Sequence, residues 1–327
     1  MMKIVILTIF ASLALPLASA EPLNVFIRAG KKTHGPGAHD HPRFLADWSK
    51  LLKERGAEVD GALVFPTDDQ MKKADVIVFY AANAGSMKPE ERSALARFRK
   101  RGGGLVFIHD AVCGNDAQWF KGVAGGAWEH KHSRFFEGHF DLEYTKKAHP
   151  VTKGAGNFEL DDEIYWNLHF DPKAKVLAKT NCKHAPGSPQ IWSLETGKSR
   201  TFSSIPGHWH TTFSIPHYRA ILLRGIAWAG HRNADLLTTP EEVKALEKPD
   251  NAIKLSGFVK NPGLVPYKRG MTLQQAIAAA GGRKNLAANT VYLRRNGKRY
   301  KFNLRNPHHQ DLKVYPKDEL DIPKSNW

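Results

Sequence analysis

Asp75-Val-Ile-Val-Phe-Tyr80, then Pro89 to Arg101, then Leu105-Val-Phe-Ile108 decide the fold. The two apolar runs show no polar alternation, so they predict strands covered on both faces. Between them the segment from Pro89 predicts a helix. Pro89 suits its first turn, Glu90 and Glu91 its N-terminus and Arg99 to Arg101 its C-terminus, and Gly102-Gly103-Gly104 ends it. Strand, helix, strand in this form predicts a mostly parallel α/β sheet with helices on both faces.

The pattern extends in both directions. Leu23–Arg28 is a short apolar strand, Phe44–Arg55 a helix with Phe44, Leu45, Trp48, Leu51 and Leu52 on one face, and a further strand falls within Val59–Phe65. In such sheets ligands bind beyond the carboxyl ends of the strands. Those ends are Ala29–His41, Ala81–Lys88 and His109–Asn115. From Phe135 to Ser204 the pattern changes to shorter strands and turns, with a hairpin turn at Thr196-Gly197, and Tyr218–Ala229 restores a helix. Asn233 to Asp250, with Pro240 and Pro249, predicts a short helical linker. The last segment is a second module. Ile253–Val259 is a strand, Asn261-Pro262-Gly263 a turn, and Leu273–Ala280 a helix capped by Thr272 and stopped at Gly281-Gly282. Val291–Arg295 and Lys298–Leu304 flank the hairpin pair Asn296-Gly297, and Glu319–Ile322 is a final strand.

The 327 residues carry 48 Lys+Arg and 32 Asp+Glu, a net charge of +16, with 16 histidines and two cysteines. Aromatic and charged content exclude a disordered chain, and two cysteines exclude a disulfide scaffold or a Cys-rich zinc module. The charge is uneven. Residues 251–327 hold 15 basic and 4 acidic side chains, while fourteen histidines precede position 232. Arg294, Arg295, Lys298, Arg299 and Lys301 crowd one hairpin without a nucleic-acid motif. An acidic polysaccharide or envelope surface is the expected partner of this charge rather than nucleic acid; the alternative is a solvated strand edge kept from aggregating by its charges. Met1–Ala20 has the form of a signal peptide. Lys3 precedes an apolar run from Ile4 to Leu17, and Ala18-Ser19-Ala20 forms a cleavage site. The run is too short to span a membrane, and no later one is long enough. A secreted or periplasmic location is therefore expected, where Cys113 and Cys182 either pair or remain as buried thiols.

The chemistry-bearing residues sit at predicted loops. His34-Gly-Pro-Gly-Ala-His39-Asp40-His41 follows the first strand; its imidazoles can converge on a metal or a polar substrate, although a solvated loop has the same composition. His109-Asp110 ends the fourth strand, at the sharp strand-to-helix turn where a hydrolase of this architecture places its nucleophile. Cys113, four residues on, reads as a packed thiol rather than that nucleophile. Trp128-Glu129-His130-Lys131-His132, the carboxylate cluster Asp161-Asp162-Glu163-Ile-Tyr165, and Gly207-His208-Trp209-His210 complete the set. Adjacent carboxylates suit acid–base work or metal binding, or else a solvated turn.

In this order, the His34–His41 run, Gly104-Leu-Val-Phe-Ile-His109, His149-Pro-Val-Thr-Lys-Gly154, Asp162-Glu163-Ile-Tyr165 and Gly207–His210 resemble the ThuA-like (trehalose utilisation) family over about residues 23–231. The resemblance implies a flavodoxin-like, class I glutamine-amidotransferase-like fold that lacks the amidotransferase cysteine. It also implies sugar catabolism, linked to 3-keto-glycosides. Asp110 departs from the small or apolar residue expected after His109. Lys254-Leu-Ser-Gly257 through Asn261-Pro262-Gly263, Thr272-Leu273, Ala280-Gly281-Gly282 and the strand near Leu320 resemble the SLBB (soluble-ligand-binding β-grasp) domain, which implies glycan or small-ligand binding. The expected organisation is a signal peptide at 1–20, a ThuA-like domain at 21–232, a linker at 233–251 and a β-grasp domain at 252–327.

The expected function is acid–base, metal-assisted processing of an oxidised (3-keto) glycoside by a lyase, hydrolase or isomerase that is not a glutamine amidotransferase. The alternative is a non-catalytic saccharide-binding or envelope-associated protein. His109, Asp110, Asp162 and Glu163 are the candidate catalytic residues. His34, His39, His41, Trp128, His132, Tyr165, His208 and His210 are the candidate substrate-binding residues. His39, His109 and His208 are candidate ligands for a divalent metal such as zinc, and no nucleotide cofactor is expected.

Overall fold

The fold is described from a computed structural model covering residues 21–247, 252–268, 270–295 and 297–325. The expected leader at 1–20, part of the linker and Asn296 of the predicted hairpin lie outside these residues.

In chain order the first unit runs β1 (Asn24–Ala29), α1 (His41–Glu54), β2 (Glu58–Ala62), α2 (Asp68–Lys73), β3 (Val76–Tyr80), α3 (Pro89–Lys100), β4 (Gly104–Ile108) and α4 (Ala117–Ala124). It continues with β5 (Gly126–Ala127), β6 (Arg134–Tyr144), β7 (Phe158–Trp166), β8 (His169–Phe170), β9 (Lys175–Thr180), β10 (Ser188–Thr196), β11 (Ser199–Ser204), α5 (Pro216–Ala229) and α6 (Pro240–Glu247). Nine strands form one sheet in the order β2-β1-β3-β4-β11-β10-β9-β6-β7. Strands β2, β1, β3, β4 and β11 are mutually parallel, and the sheet then continues through antiparallel pairs. The Thr196-Gly197 turn is the hairpin joining β10 to β11.

Strand periodicity explains the absence of polar alternation. Val76, Val78, Tyr80, Val106 and Ile108 point to one face, where they pack with Phe44, Trp48 and Leu52 of α1 and with α5. Ile77, Phe79, Leu105 and Phe107 point to the other, against Met71 of α2, Leu95 and Phe98 of α3, and Phe120 of α4. Both faces are buried, so every position is apolar. Cys113 belongs to the second core and Cys182 to the first, and both are free and buried. Gly104 opens β4 where an added Cβ would lie 2.1 Å from the Ala229 carbonyl oxygen, so glycine alone lets β4 start against the end of α5.

The segment expected as a helical linker forms α6, and α6 docks on the first unit. Leu246 is buried in the first core, and buried Glu242 accepts from Arg55 at 3.1 and 3.2 Å and from Arg219 at 2.7 Å.

The second unit has its own core. Strands β12 (Ala252–Gly257), β13 (Gly263–Pro266), β14 (Thr290–Arg295), β15 (Lys298–Asn303) and β16 (Glu319–Ile322) form a sheet in the order β13-β12-β16-β14-β15. Helix α7 (Leu273–Ala279) packs on it through Leu273, Ala276 and Ile277, and Thr272 and Gln275 form a reciprocal capping box. Arg295 pairs with Lys298 across the expected two-residue turn.

Docking of α6 makes a measurable prediction. Leu246→Ala should destabilise the first unit by about 2–5 kcal/mol, because a fully buried leucine is exchanged for a cavity. Tryptophan fluorescence in a denaturant titration checks this, since seven of the eight tryptophans precede position 230.

Candidate metal centre

The centre is assembled at the carboxyl ends of the parallel strands. The chain leaves β4 at His109 through a left-handed turn with φ 56°, and His39 (φ 42°) and Asn83 (φ 54°) are left-handed as well. Three non-glycine residues in this region around one cleft mark strain held by the surroundings. The loop after β1 is zipped to the loop after β11. The His39 amide donates to the His208 carbonyl at 2.9 Å, and the His210 amide donates to Gly37 at 2.8 Å.

Asp162, from β7, fixes the second of these loops. Its carboxylate accepts the amides of Gly207 (3.0 Å), His208 (2.9 Å) and Trp209 (3.4 Å) and the hydroxyl of Thr212. The Tyr80 hydroxyl donates to the Gly207 carbonyl at 2.6 Å. Gly207 itself has φ 145° and lies against His109, where a Cβ would come within 3.2 Å of the His109 Cβ.

Four ligand-type atoms then converge. His39 Nε2 is 3.1 Å from His109 Nε2 and 3.0 Å from His208 Nδ1. Glu163 Oε2 is 3.2 Å from His109 Nε2 and 3.3 Å from His208 Nδ1. All four side chains are buried. His109 Nδ1 donates to the Ile205 carbonyl at 2.8 Å, so its neutral ring turns a lone pair inward at Nε2. Asp110 Oδ2 lies 2.8 Å from His39 Nδ1, and the negative charge of its carboxylate favours the tautomer of that ring with its proton on Nδ1. The second inward Nε2 is thus also a lone pair. Lone pairs facing one another at 3.1 Å repel unless a positive charge lies between them. Tetrahedral zinc with ligands at about 2.0–2.1 Å spaces those ligands by about 3.3–3.4 Å, so the donor set and its size fit a divalent cation.

Without a cation, a proton takes that place. Burial works against charge on His109, but its contact with Glu163 and the charges of Asp110, Glu163 and Asp162 outweigh it and raise its pKa to about 9. Burial dominates at His39 and lowers its pKa. For Glu163 burial is outweighed by His109 and His208, which bring it down to about 2, and His39 and His41 hold Asp110 below the ordinary carboxylate range. Asp110 therefore stands as an anion behind the ligands. It contacts His41 Nε2 at 3.2 Å, while His41 Nδ1 donates to the Lys31 carbonyl at 2.8 Å.

A cleft of about 580 Å³ opens onto this cluster. Of the expected residues, His34, His39, Asp110, Trp128, Glu163, Tyr165 and His208 line it. His109 sits at its floor, with the Tyr165 hydroxyl 3.3 Å from Nε2. His41 is fully buried behind Asp110 and Asp162 is spent on backbone amides, so neither reaches the cleft. His132 and His210, expected at the substrate, also do not line it. His132 is exposed with its ring against His169, and His210 bonds Asp47 at 2.9 Å. Cys113 lines the cleft, but burial together with the Asp110 and Glu163 charges keeps its thiol protonated. Sequence reading missed Asn83, Phe135 and Glu137, which also line the cleft. Phe135 and Glu137 stand opposite Tyr165 and Glu163 in the β6–β7 pair, so the period-two spacing of Phe135 and Glu137 was the available signal.

The trehalose utilisation (ThuA) family model matches residues 30–229, and the SLBB domain model matches residues 253–303, from β12 to β15. No curated protein matches the sequence. Among solved structures, a ThuA-like protein from Parabacteroides merdae is similar at 17% identity and a TM-score of 0.53, covering 64% of this chain and 90% of that one. A ThuA-like protein from Bacteroides uniformis is similar at 20% identity and a TM-score of 0.52, covering 68% of this chain and 99% of that one. These likenesses carry the fold. With its family model spanning most of the first unit, the chain belongs to the ThuA (trehalose utilisation) family.

Proposed function

We propose that this protein is an exported, metal-dependent enzyme that cleaves an oxidised (3-keto) glycoside. The observation that carries it is the convergence of His39, His109, His208 and Glu163 on one buried point at the base of an open cleft. Family membership supports a carbohydrate substrate, and the form of residues 1–20 supports export.

In this scheme those four residues hold the cation, and Asp110 and Asp162 position them. A divalent cation held by His39, His109, His208 and Glu163 would supply a Lewis acid for a ketone oxygen. The ketone acidifies the adjacent C2–H. His34 is the base offered by the cleft wall. Its ring lies 3.8 Å from that of His39, tilted by 32°, and with its Nδ1–H donating to the Thr33 hydroxyl oxygen at 3.0 Å its Nε2 lone pair is the one that takes the proton. The C–H electron pair forms the C1=C2 double bond, the C1–O bond breaks, and the aglycone leaves as an alcohol after gaining a proton. Tyr165, kept protonated by burial and by the nearby carboxylates, presents a hydroxyl donor at the cluster's edge.

The C-terminal unit is proposed to hold the enzyme on an acidic polysaccharide. Tyr292 and Arg294 face Lys301 and Arg299 across the β14–β15 pair, which gathers cations on one side of that sheet, and Arg299 stacks on Tyr292 at 3.8 Å.

The mature protein should contain about one first-row divalent metal per chain by elemental analysis. His109→Ala should remove both the metal and turnover of 3-keto-glucosides. His34→Ala should keep the metal and lower kcat about 10²–10⁴-fold. A metal-loaded protein that binds saccharide without turnover would instead establish the non-catalytic alternative.

Cation binding must displace the His109 proton, whose pKa lies at about 9. Zinc affinity measured against a competing chelator should therefore rise about tenfold per pH unit from 7 towards 9 and fall as pH drops. A pH-independent affinity over that range would contradict this ligand assignment.

Retention of the full chain on an immobilised acidic polysaccharide should fall steeply with salt. Replacing Arg294, Arg299 and Lys301 with glutamine should move elution to lower salt. No retention at low salt would remove the anchoring role.

A further inference from the structure

One wall of the cleft is aromatic from its floor to its mouth. The Tyr165 ring lies 5.1 Å from that of His109, Trp128 lies 4.8 Å from Tyr165, and Phe135 lies 6.4 Å from Trp128. Each step is about the breadth of one sugar or phenyl ring. Tyr165 is buried at the cluster, Trp128 is half-buried, and Phe135 is 59% exposed. Exposed Phe135 and half-buried Trp128 together continue the apolar surface of Tyr165 to the rim of the cleft, so the aromatic groups form one connected strip and not scattered side chains.

The backbone makes this wall rigid. Phe135 and Glu137 of β6 pair with Tyr165 and Glu163 of β7, so the strip and the cluster are displayed by neighbouring strands in fixed register. Trp209 Nε1 donates to Glu137 Oε1 at 3.0 Å, which leaves Oε2 as an acceptor for ligand hydroxyls beside the strip. Aromatic faces with a neighbouring carboxylate suit a pyranose ring, whose faces are apolar C–H surfaces and whose edge is a row of hydroxyls. A single sugar reacting over the cluster would occupy the floor near Tyr165 and leave Trp128 and Phe135 uncovered. Both side chains line the cleft, whose volume is about 580 Å³.

We propose that Trp128 and Phe135 form a subsite for a ring-shaped aglycone, so that the preferred ligands are disaccharide-sized or aryl hexopyranosides rather than free monosaccharides or alkyl glycosides. This rests on the carbohydrate function proposed above and narrows its substrate class. Phe135 is a specificity residue here. It contacts the leaving group and lies two ring contacts away from the reacting sugar at the cluster.

Calorimetric titration of the full chain with methyl and phenyl glucopyranosides, both anomers of each, tests it without turnover. A phenyl glucoside should bind at least about tenfold tighter than the methyl glucoside of the same anomer. Phe135→Ala should bring that ratio to within about twofold with metal content unchanged; because the side chain is mostly in solvent, the fold should survive the change. Phe135→Tyr should restore the preference. Equal binding of methyl and phenyl glucosides to the wild type would overturn the proposal, as would a ratio unchanged in Phe135→Ala or no binding of any of the four. If the preference holds while 3-keto-glucosides are not turned over, the subsite stands and the enzymatic function falls.

Discussion

The carboxylate of Asp162 is the tie on which the site depends. It leaves β7, at the antiparallel end of the sheet, and takes the amides of Gly207, His208 and Trp209 at the end of β11 in its parallel part. A buried anion satisfied by backbone donors is stable in that position, and each such charge-assisted bond contributes about 1.5–3 kcal/mol. The adjacent residue, Glu163, points to the opposite face of the strand and into the cluster. One strand therefore sets both the loop that brings His208 and the carboxylate that meets it. The two loops zipped through His39 and His210 then have a single arrangement.

Charge inside the cluster favours a cation by simple excess. Asp110, Asp162 and Glu163 are buried within reach of His109, and the imidazoles can supply only protons against them. At His39 burial outweighs the neighbouring carboxylate and lowers the pKa. At His109 the carboxylates win. The same imbalance that holds a proton on His109 would favour a divalent ion, for which three imidazole nitrogens and a carboxylate are in place.

Much of this was legible in the chain. Strands β3 and β4 are apolar at every position because both their faces are covered, and helix ends such as Pro89 and Gly102 announce themselves. The sharp turn at the end of β4 was expected from the sequence, although His109–Val112 form a single 3-10 turn and α4 starts only at Ala117; the His34–His41 loop lies where an open sheet binds its ligands. What could not be read was pairing between distant strands. Nothing near Phe135 or Glu137 states that β6 will lie beside β7, so their place in the cleft emerges only from register. His132 and His210 failed to reach the cleft for the same kind of reason: each finds a local partner, His169 or Asp47, that composition does not distinguish from a ligand. Helix α6 looked like a linker because its sequence is polar, yet Leu246 and the Arg55–Glu242–Arg219 bridge are enough to dock it.

Asp110 bears on the chemistry open to the cleft. In this architecture a cysteine at the strand-to-helix turn works as a thiolate, which requires a positive surrounding field. Here the turn residue is His109, and the nearby thiol, Cys113, lies close enough to Asp110 and Glu163 for their charges to hold its proton in place. A field negative enough to gather a cation among imidazoles suppresses a thiolate in the same cavity. Asp110 sets that field twice, by orienting His39 and His41 and by opposing ionisation of Cys113. The nucleophile is therefore not simply missing from this fold. Burial and the charges of Asp110 and Glu163 keep the Cys113 thiol protonated, so the groups this cleft offers are imidazoles and carboxylates and not a thiolate.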